Sequence, residues 1–260
     1  GVIKDELAEI KKRFGDERRT QIVGEVEELE VEDFIAEEDV IITVSHSGYI
    51  KRLPVSSYHK QLRGGKGVTG ADLREEDFIE HLFVASTHDY ILFFTDKGQV
   101  HWLKVHEIPV GSRTAKGKAI INMLQIGQNE KISSYIPVKE FKPDNYLIMV
   151  TKNGLIKKTS LEAYSHPRKG GIIGITLEAG DALKEVKLTD GKQEVLIATR
   201  EGKAIRFPEK QVRDMGRGAK GVKGIRLAKK DEVIAAAVVD KEAAVLTVTE
   251  NGFAKRTAFK

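Results

Sequence analysis

The chain has 260 residues, with 43 Lys and Arg against 39 Asp and Glu, a net charge of +4, and no cysteine. That length can bury a sizeable core, as one large all-β unit or as two smaller domains. The absence of cysteine excludes disulfides and thiolate metal sites, the longest apolar run (Val233 to Val239) is too short to span a bilayer, and no signal-peptide pattern opens the chain. The expectation is a cytoplasmic protein with no membrane contact.

Residues 1–20 read as a short helix. Ile3, Leu7, Ile10 and Phe14 recur at spacings of four, three and four, which puts them on one face, and Gly15 follows as a stop. Such a stripe requires a partner surface. Residues 21–40 are acidic with alternating apolar positions (Val26, Leu29, Val31, Phe34, Ile35) and read as an edge strand and connector. Residues 1–40 hold 6 bases and 14 acids, which leaves 37 of the 43 bases and 25 of the 39 acids in the body. A basic body suggests a polyanionic partner. Glu37-Glu38-Asp39 reads as a solvated turn rather than a metal cluster, because nothing else in the sequence converges on it.

From residue 41 the chain repeats. Gly48, Gly98, Gly154, Gly202 and Gly252 are spaced by 50, 56, 48 and 50 residues, and each follows a small hydroxyl by three positions: Ser45, Thr95, Thr151, Thr199, Thr249. An apolar strand precedes each hydroxyl, and a strand bearing Lys51-Arg52, His101-Trp102, Lys157-Lys158, Arg206 or Lys255-Arg256 follows each glycine. Strand, glycine turn and strand make a β-hairpin. The second half of each repeat carries a glycine-rich basic loop. Gly67, Gly117 and Gly221 lie 19 residues after their hairpin glycine, and Gly171 lies 17 after its own. Six residues beyond each comes an apolar residue (Leu73, Met123, Leu177, Leu227), then an acidic turn (Asp77, Glu130, Asp181, Asp231) and another apolar strand. Four short strands per repeat of about 50 residues is the content of a propeller blade. The repeats run 41–89, 90–145, 146–193, 194–243 and a truncated 244–260, from which a natural protein longer than this chain is expected.

The fullest of the loops is Gln61-Leu62-Arg63-Gly64-Gly65-Lys66-Gly67. Its glycines let backbone N–H groups approach an anion, while Arg63 can act as a bidentate fork and Lys66 as a point charge. Phosphate is the natural ligand; a surface hairpin with glycines for turn geometry is the plainer alternative. The later loops, Ala115-Lys116-Gly117, Arg168-Lys169-Gly170-Gly171 and Gly218-Ala219-Lys220-Gly221, are weaker versions. Candidate phosphate contacts are therefore Gln61, Arg63, Gly64, Gly65, Lys66 and Gly67 in the full loop. They include Lys51, Arg52, Lys157, Lys158, Arg206, Lys255 and Arg256 on the hairpins. In the later loops they are Arg113, Lys116, Lys118, Arg168, Lys169, Arg217, Lys220 and Lys223.

Residues 61–67 closely resemble the box of the DNA gyrase A protein, Q-R-R-G-G-K-G, at six of seven positions, with Leu62 the departure. Val2 to Thr20 resembles the last helix of the breakage-and-reunion domain of type IIA topoisomerases. The resemblance implies a tail over residues 1–20 that belongs to an upstream domain. Residues 21–260 would form an all-β pinwheel, a propeller-like disc whose neighbouring blades exchange strands. It implies that the pinwheel wraps duplex DNA with positive handedness and presents a second duplex for passage. The whole enzyme, an A2B2 assembly with the gyrase B protein, would then introduce negative supercoils using ATP and Mg bound in other domains. No catalytic residue, metal or cofactor is assigned to this chain. The alternatives are the C-terminal domain of the topoisomerase IV A protein, whose box is degraded, and a protein-interaction propeller with an acidic partner. An enzyme with a site in the central channel would need convergent acids or nucleophiles, and the sequence offers none.

Other motifs fall away. Gly65 to Gly70 and Gly216 to Gly221 match G-x-G-x-x-G, but short β-like segments follow them instead of the long helix a dinucleotide site needs. Gly111 to Lys118 has P-loop flavour with Ala119 where Ser or Thr is required. The seven His residues show no zinc-ligand spacing, and Trp102 and Phe94 read as core. Cations in loops and strand ends, without a recognition helix, favour backbone contact over base readout.

Overall fold

A computed structural model describes residues 1–17, 19–20, 31–57, 77–127 and 129–259. Gln61 to Gly67, Leu73, Val26 and Leu29 lie outside the described residues. Two units separate, residues 1–35 and 36–260. In the first, helix α1 (Val2–Phe14) stops at Gly15, whose N–H donates to the Lys11 carbonyl. No residue of α1 is buried: Ile3, Leu7, Ile10 and Phe14 are all exposed. Val31–Phe34 forms a 3-10 turn, while residues 21–30 of the expected edge strand and connector lie outside the described residues. An Asp-Phe pair inside so acidic a run gives a pleated strand little apolar surface to bury.

The second unit is a succession of small antiparallel sheets. The first repeat supplies β1 (Asp39–Ser45), β2 (Tyr49–Pro54) and β3 (Ile79–Ser86). The second supplies β4 (Tyr90–Thr95), β5 (Gln99–Lys104), β6 (Lys118–Ala119) and β7 (Ile132–Val138). The third supplies β8 (Tyr146–Thr151), β9 (Leu155–Ser160), β10 (Ile172–Ile173) and β11 (Leu183–Thr189). The fourth supplies β12 (Glu194–Thr199), β13 (Ala204–Pro208), β14 (Val222–Lys223) and β15 (Val233–Val239), and the fifth the hairpin β16 (Ala244–Val248) and β17 (Ala254–Ala258).

The sheet orders are β3-β1-β2-β6, β7-β4-β5-β10 and β11-β8-β9-β14, followed by β15-β12-β13 and β16-β17. The fourth strand of each complete blade thus comes from the next repeat. Neighbouring blades exchange strands, as the pinwheel resemblance implies. The strands β7, β11 and β15 pack on one another in turn, so the opposite edge of each sheet, where the donated strand sits, faces away from that inner packing.

The hydroxyl-x-x-glycine pattern has a physical cause. The side-chain oxygens of Ser45, Thr95, Thr151, Thr199 and Thr249 accept the backbone N–H four residues on, at 3.1 to 3.2 Å. The glycine takes positive φ, +78° at Gly98 and +83° at Gly154, and donates its N–H back to the hydroxyl residue's carbonyl. The acidic turns clasp the same hairpins. Asp77, Asp181 and Asp231 each place Oδ1 on two backbone N–H groups, those of Ser47 and Phe78, Asn153 and Ala182, and Glu201 and Glu232. Apolar strands stack between blades to form the core, with Phe93, Phe94, Leu147, Met149 and Ile197 fully buried.

Candidate nucleic-acid interface

The basic loops after each hairpin are arches that stand on the preceding blade. In repeat 2 the arch begins at Val110, bridged to Arg52, and ends at Lys118, paired with Ile50. In repeat 4 it begins at Asp214, bridged to Lys158, and ends at Val222, paired with Ile156. The arch of repeat 3 ends at Ile172, paired with Val100. Close approach at the second foot requires glycine. A Cβ on Gly117 (φ +85°) would lie 2.4 Å from the Ile50 carbonyl oxygen, and one on Gly221 (φ +93°) 2.6 Å from that of Ile156.

Between the two feet lies a buried lysine. Lys51 is 2% exposed, and its ammonium donates to the carbonyls of Ser112 (3.1 Å), Arg113 (2.5 Å) and Ala115 (2.7 Å). Lys157 is fully buried and donates to the carbonyls of Gly174 (2.5 Å) and Arg217. A cation taken out of water needs such a cage. Burial lowers the Lys51 ammonium, and burial together with the nearby Arg217 charge lowers that of Lys157 to about 8.

Lys51, Arg52, Lys157 and Lys158 therefore differ from the expectation that the hairpin cations meet phosphate. Lys51 and Lys157 are directed inward. Arg52 is half-buried, its guanidinium donating to the carbonyls of Ile108 (2.7 Å) and His106 (3.2 Å). Lys158 is buried, with Nζ 5.1 Å from the Tyr146 ring centroid. Arg206 is paired with Glu194, its Nε donating at 3.0 Å, and sits over Phe259. Lys255 and Arg256 are exposed on β17. The sequence carries no signal for the inward position: the register held by Lys51 and Lys157 is also held by the buried His101 and by Ile205 and Lys255, both exposed.

The arches do present cations outward. With carbonyls aimed at Lys51, the exposed side of the repeat 2 arch carries Arg113, Lys116 and Lys118, Lys116 standing 3.8 Å over the Tyr49 ring. Arg168 and Lys169 are exposed on the next arch, and Lys220 and Lys223 on the one after, where Arg217 is half-buried. Three successive blades thus carry basic side chains at the same edge. Among the described residues no group of acids and histidines could hold a metal ion, and no helix is long and apolar enough to cross a membrane.

The family model described as "DNA gyrase C-terminal domain, beta-propeller" matches residues 39–86, 89–139, 145–190, 193–240 and 243–259, one match per repeat. The chain belongs to the DNA gyrase C-terminal domain family. The DNA gyrase A protein of Salmonella typhimurium (strain LT2) is 46% identical over 257 residues, covering 99% of this chain and 29% of the relative. The chain therefore spans less than a third of the curated relatives it matches. Among solved structures, the C-terminal domain of DNA topoisomerase IV superposes with a TM-score of 0.71 at 33% identity, covering 86% of this chain and 68% of that one. The DNA gyrase A C-terminal domain superposes at 0.67 and 27% identity, covering 84% and 71%.

Proposed function

We propose that residues 36–260 bind and bend duplex DNA along the outer edge of successive blades, as the wrapping domain of a gyrase A protein. The observation that carries this reading is the series of arches, each standing on the neighbouring blade and each turning Arg or Lys outward within four residues of its glycine. Cations on rigid, regularly repeated supports suit the phosphate backbone and carry no base code. The box at 61–67 is the most glycine-rich member of the series in sequence and serves as the clasp of the wrap. In the whole enzyme, an A2B2 assembly with the gyrase B protein in the cytoplasm, the wrap presents a second duplex for passage, and ATP and Mg held by other domains drive negative supercoiling.

The test is topological. The domain is bound to relaxed circular DNA, the circle is nicked and sealed, and the trapped linking number is read. A shift proportional to bound protein is expected. Binding without any shift would leave a duplex-binding domain that does not wrap, and no binding at all would favour an acidic protein partner.

A further inference from the structure

The three outward-facing arches are not held alike. Lys51 reaches only the arch of repeat 2, through three carbonyls. Lys157 reaches Arg217 in the arch of repeat 4 and Gly174, two residues past the foot of the arch of repeat 3. The segment 174–178 that follows the arch of repeat 3 is also bonded directly to the arch of repeat 4. Thr176 donates its hydroxyl to the Gly218 carbonyl (2.8 Å) and its N–H to that of Ala219 (3.3 Å), and Lys220 pairs with Glu178 (3.4 Å), while within repeat 3 the Tyr164 hydroxyl donates to Gly174 (3.3 Å).

We propose that Lys51 and Lys157 are positioning residues for the duplex: each holds an arch from inside, and Lys157 fastens the arch of repeat 4 to the segment that leads out of the preceding arch, making one platform. The proposal rests on the reading of the arches as duplex contacts. An ammonium that engages carbonyls from several residues of one loop fixes the peptide planes of that loop. With those carbonyls turned inward, side chains at 113, 116 and 118, or at 217 and 220, are left to face outward. Burial keeps both lysines off the phosphate path, so their effect on DNA must pass through the loops. The spacing between Arg168-Lys169 and Arg217-Lys220 is then set by the protein before DNA arrives, an ordering cost already met in the free state.

The test uses the full-length protein. Lys51→Met removes the ammonium while filling its place. In the free protein, amide exchange at Ala115, which donates to Ser112, should quicken about tenfold, the scale expected when buried acceptors lose a charged donor. Duplex affinity should fall by a similar factor. The deciding measurement is a double-substitution cycle with Lys116→Ala. If Lys51 acts through the arch, Lys116→Ala costs less than about twofold once Lys51 is gone. If the two losses multiply, Lys51 contributes on its own and the proposal is overturned. Thr176→Val, a change at a half-exposed site that removes one bond between the segment after the repeat 3 arch and the arch of repeat 4, tests the platform without emptying the core. It should quicken exchange at Ala219 and weaken duplex binding severalfold, and unchanged exchange and binding would refute the coupling. Failure of the wild-type protein to bind duplex more weakly as salt rises would sink the duplex reading itself, a result distinct from a multiplicative cycle.

Discussion

The arches standing on blades 1 and 2 have the same topology and different supports. On blade 1 a lysine fills the space beneath, the arch's glycine falls 19 residues after its hairpin glycine, and three carbonyls converge on one ammonium. On blade 2 the equivalent residue is His101, the spacing is 17, and the imidazole lies so close under Gly171 that a Cβ there would be 2.7 Å from its Cε1. Burial pushes the His101 pKa below the usual histidine range, with a smaller opposing pull from Glu130, so it is a neutral ring rather than a caged charge. A flat ring with at most one N–H donor cannot gather the carbonyls of a long loop, and the loop above it is shorter by two residues. The residue under an arch and the length of the arch vary together.

The largest effect that would sharpen this comparison lies in the box. Gly67 follows Gly48 by 19 residues, so by spacing the box belongs to the long class. Replacing Arg63, Gly64, Gly65 and Lys66 with Ala should abolish the linking-number shift in circles. Short linear duplex should still bind with only modest weakening. In the holoenzyme, supercoiling should vanish while ATP-dependent relaxation survives, because bending 20–30 bp costs on the order of 1–6 kcal/mol and a clasp is needed to hold it. A quadruple variant that supercoils at the wild-type rate would reduce the box to a structural loop.

Next in size is salt. If the arches and box neutralise about 6–10 phosphates, affinity should fall about 10³–10⁵-fold between 50 and 200 mM salt. Ala at Lys116, Lys169, Arg217 or Lys220 should each remove about one unit of the salt slope for all sequences alike. A titration that stays flat would remove DNA wrapping, and a variant that alters preference between sequences would reveal base readout.

Gly117→Ala separates the two arch types by stability. Its Cβ would collide with a backbone oxygen at 2.4 Å, whereas at Gly171 it would meet the His101 ring at 2.7 Å and a backbone oxygen, that of Val100, only at 2.9 Å. At Gly48, where nothing lies within 4 Å, positive φ alone should cost about 1–2 kcal/mol. Gly117→Ala should cost roughly 1–3 kcal/mol beyond that, with Gly171→Ala in between. Denaturant midpoints decide the order, and equal costs at 117 and 48 would mean that the foot of the arch is loose.

How far the sequence announced these features depends on what each residue reports. Hairpins and repeats were legible because the hydroxyl and the glycine are both required by one turn: Thr151 accepts the Leu155 N–H, and Gly154 needs positive φ. The helix at 2–14 was legible from spacing. The direction of a cation was not. Lys51 and Lys116 look alike in sequence, and only the arch overhead shows that one faces carbonyls and the other solvent. The acidic turns read only as turns, yet Asp77, Asp181 and Asp231 are hairpin clasps, because local sequence cannot show a backbone N–H about 30 residues away.

Acid should expose those clasps with a smaller effect. Burial alone would raise the Asp77 and Asp231 carboxyls, but the N–H groups of Ser47 and Glu201 and the nearby hydroxyls of Ser45 and Thr199 outweigh it and hold both below the usual carboxylate range. A carboxyl lowered in the folded state stabilises the fold above its unfolded pKa and loses that contribution as pH falls through the folded value. Stability should therefore decline on the acid side of the ordinary Asp range, and Asp77→Asn with Asp231→Asn should flatten the decline. A double variant with an unchanged acid limb would show that the clasps act without charge.

The smallest effect is expected at the N-terminus, where α1 offers the opposite of an arch, a surface with no support. The apolar side chains Ile3, Leu7, Ile10 and Phe14 are 73%, 60%, 55% and 78% exposed. The stabilising contacts along it are local, such as the Arg13–Glu9 pair at 2.7 Å, which at an exposed site contributes about 0.3–0.5 kcal/mol. A 13-residue helix without a buried face is marginal in water. Deleting residues 1–20 should leave chemical unfolding of the blades within about 1 kcal/mol of the intact chain. The apolar stripe also predicts a gain for the deleted form, in less self-association at high concentration. A loss of several kcal/mol on deletion would mean that the stripe is covered by the blades in solution, and the helix would then have to be counted as part of their core.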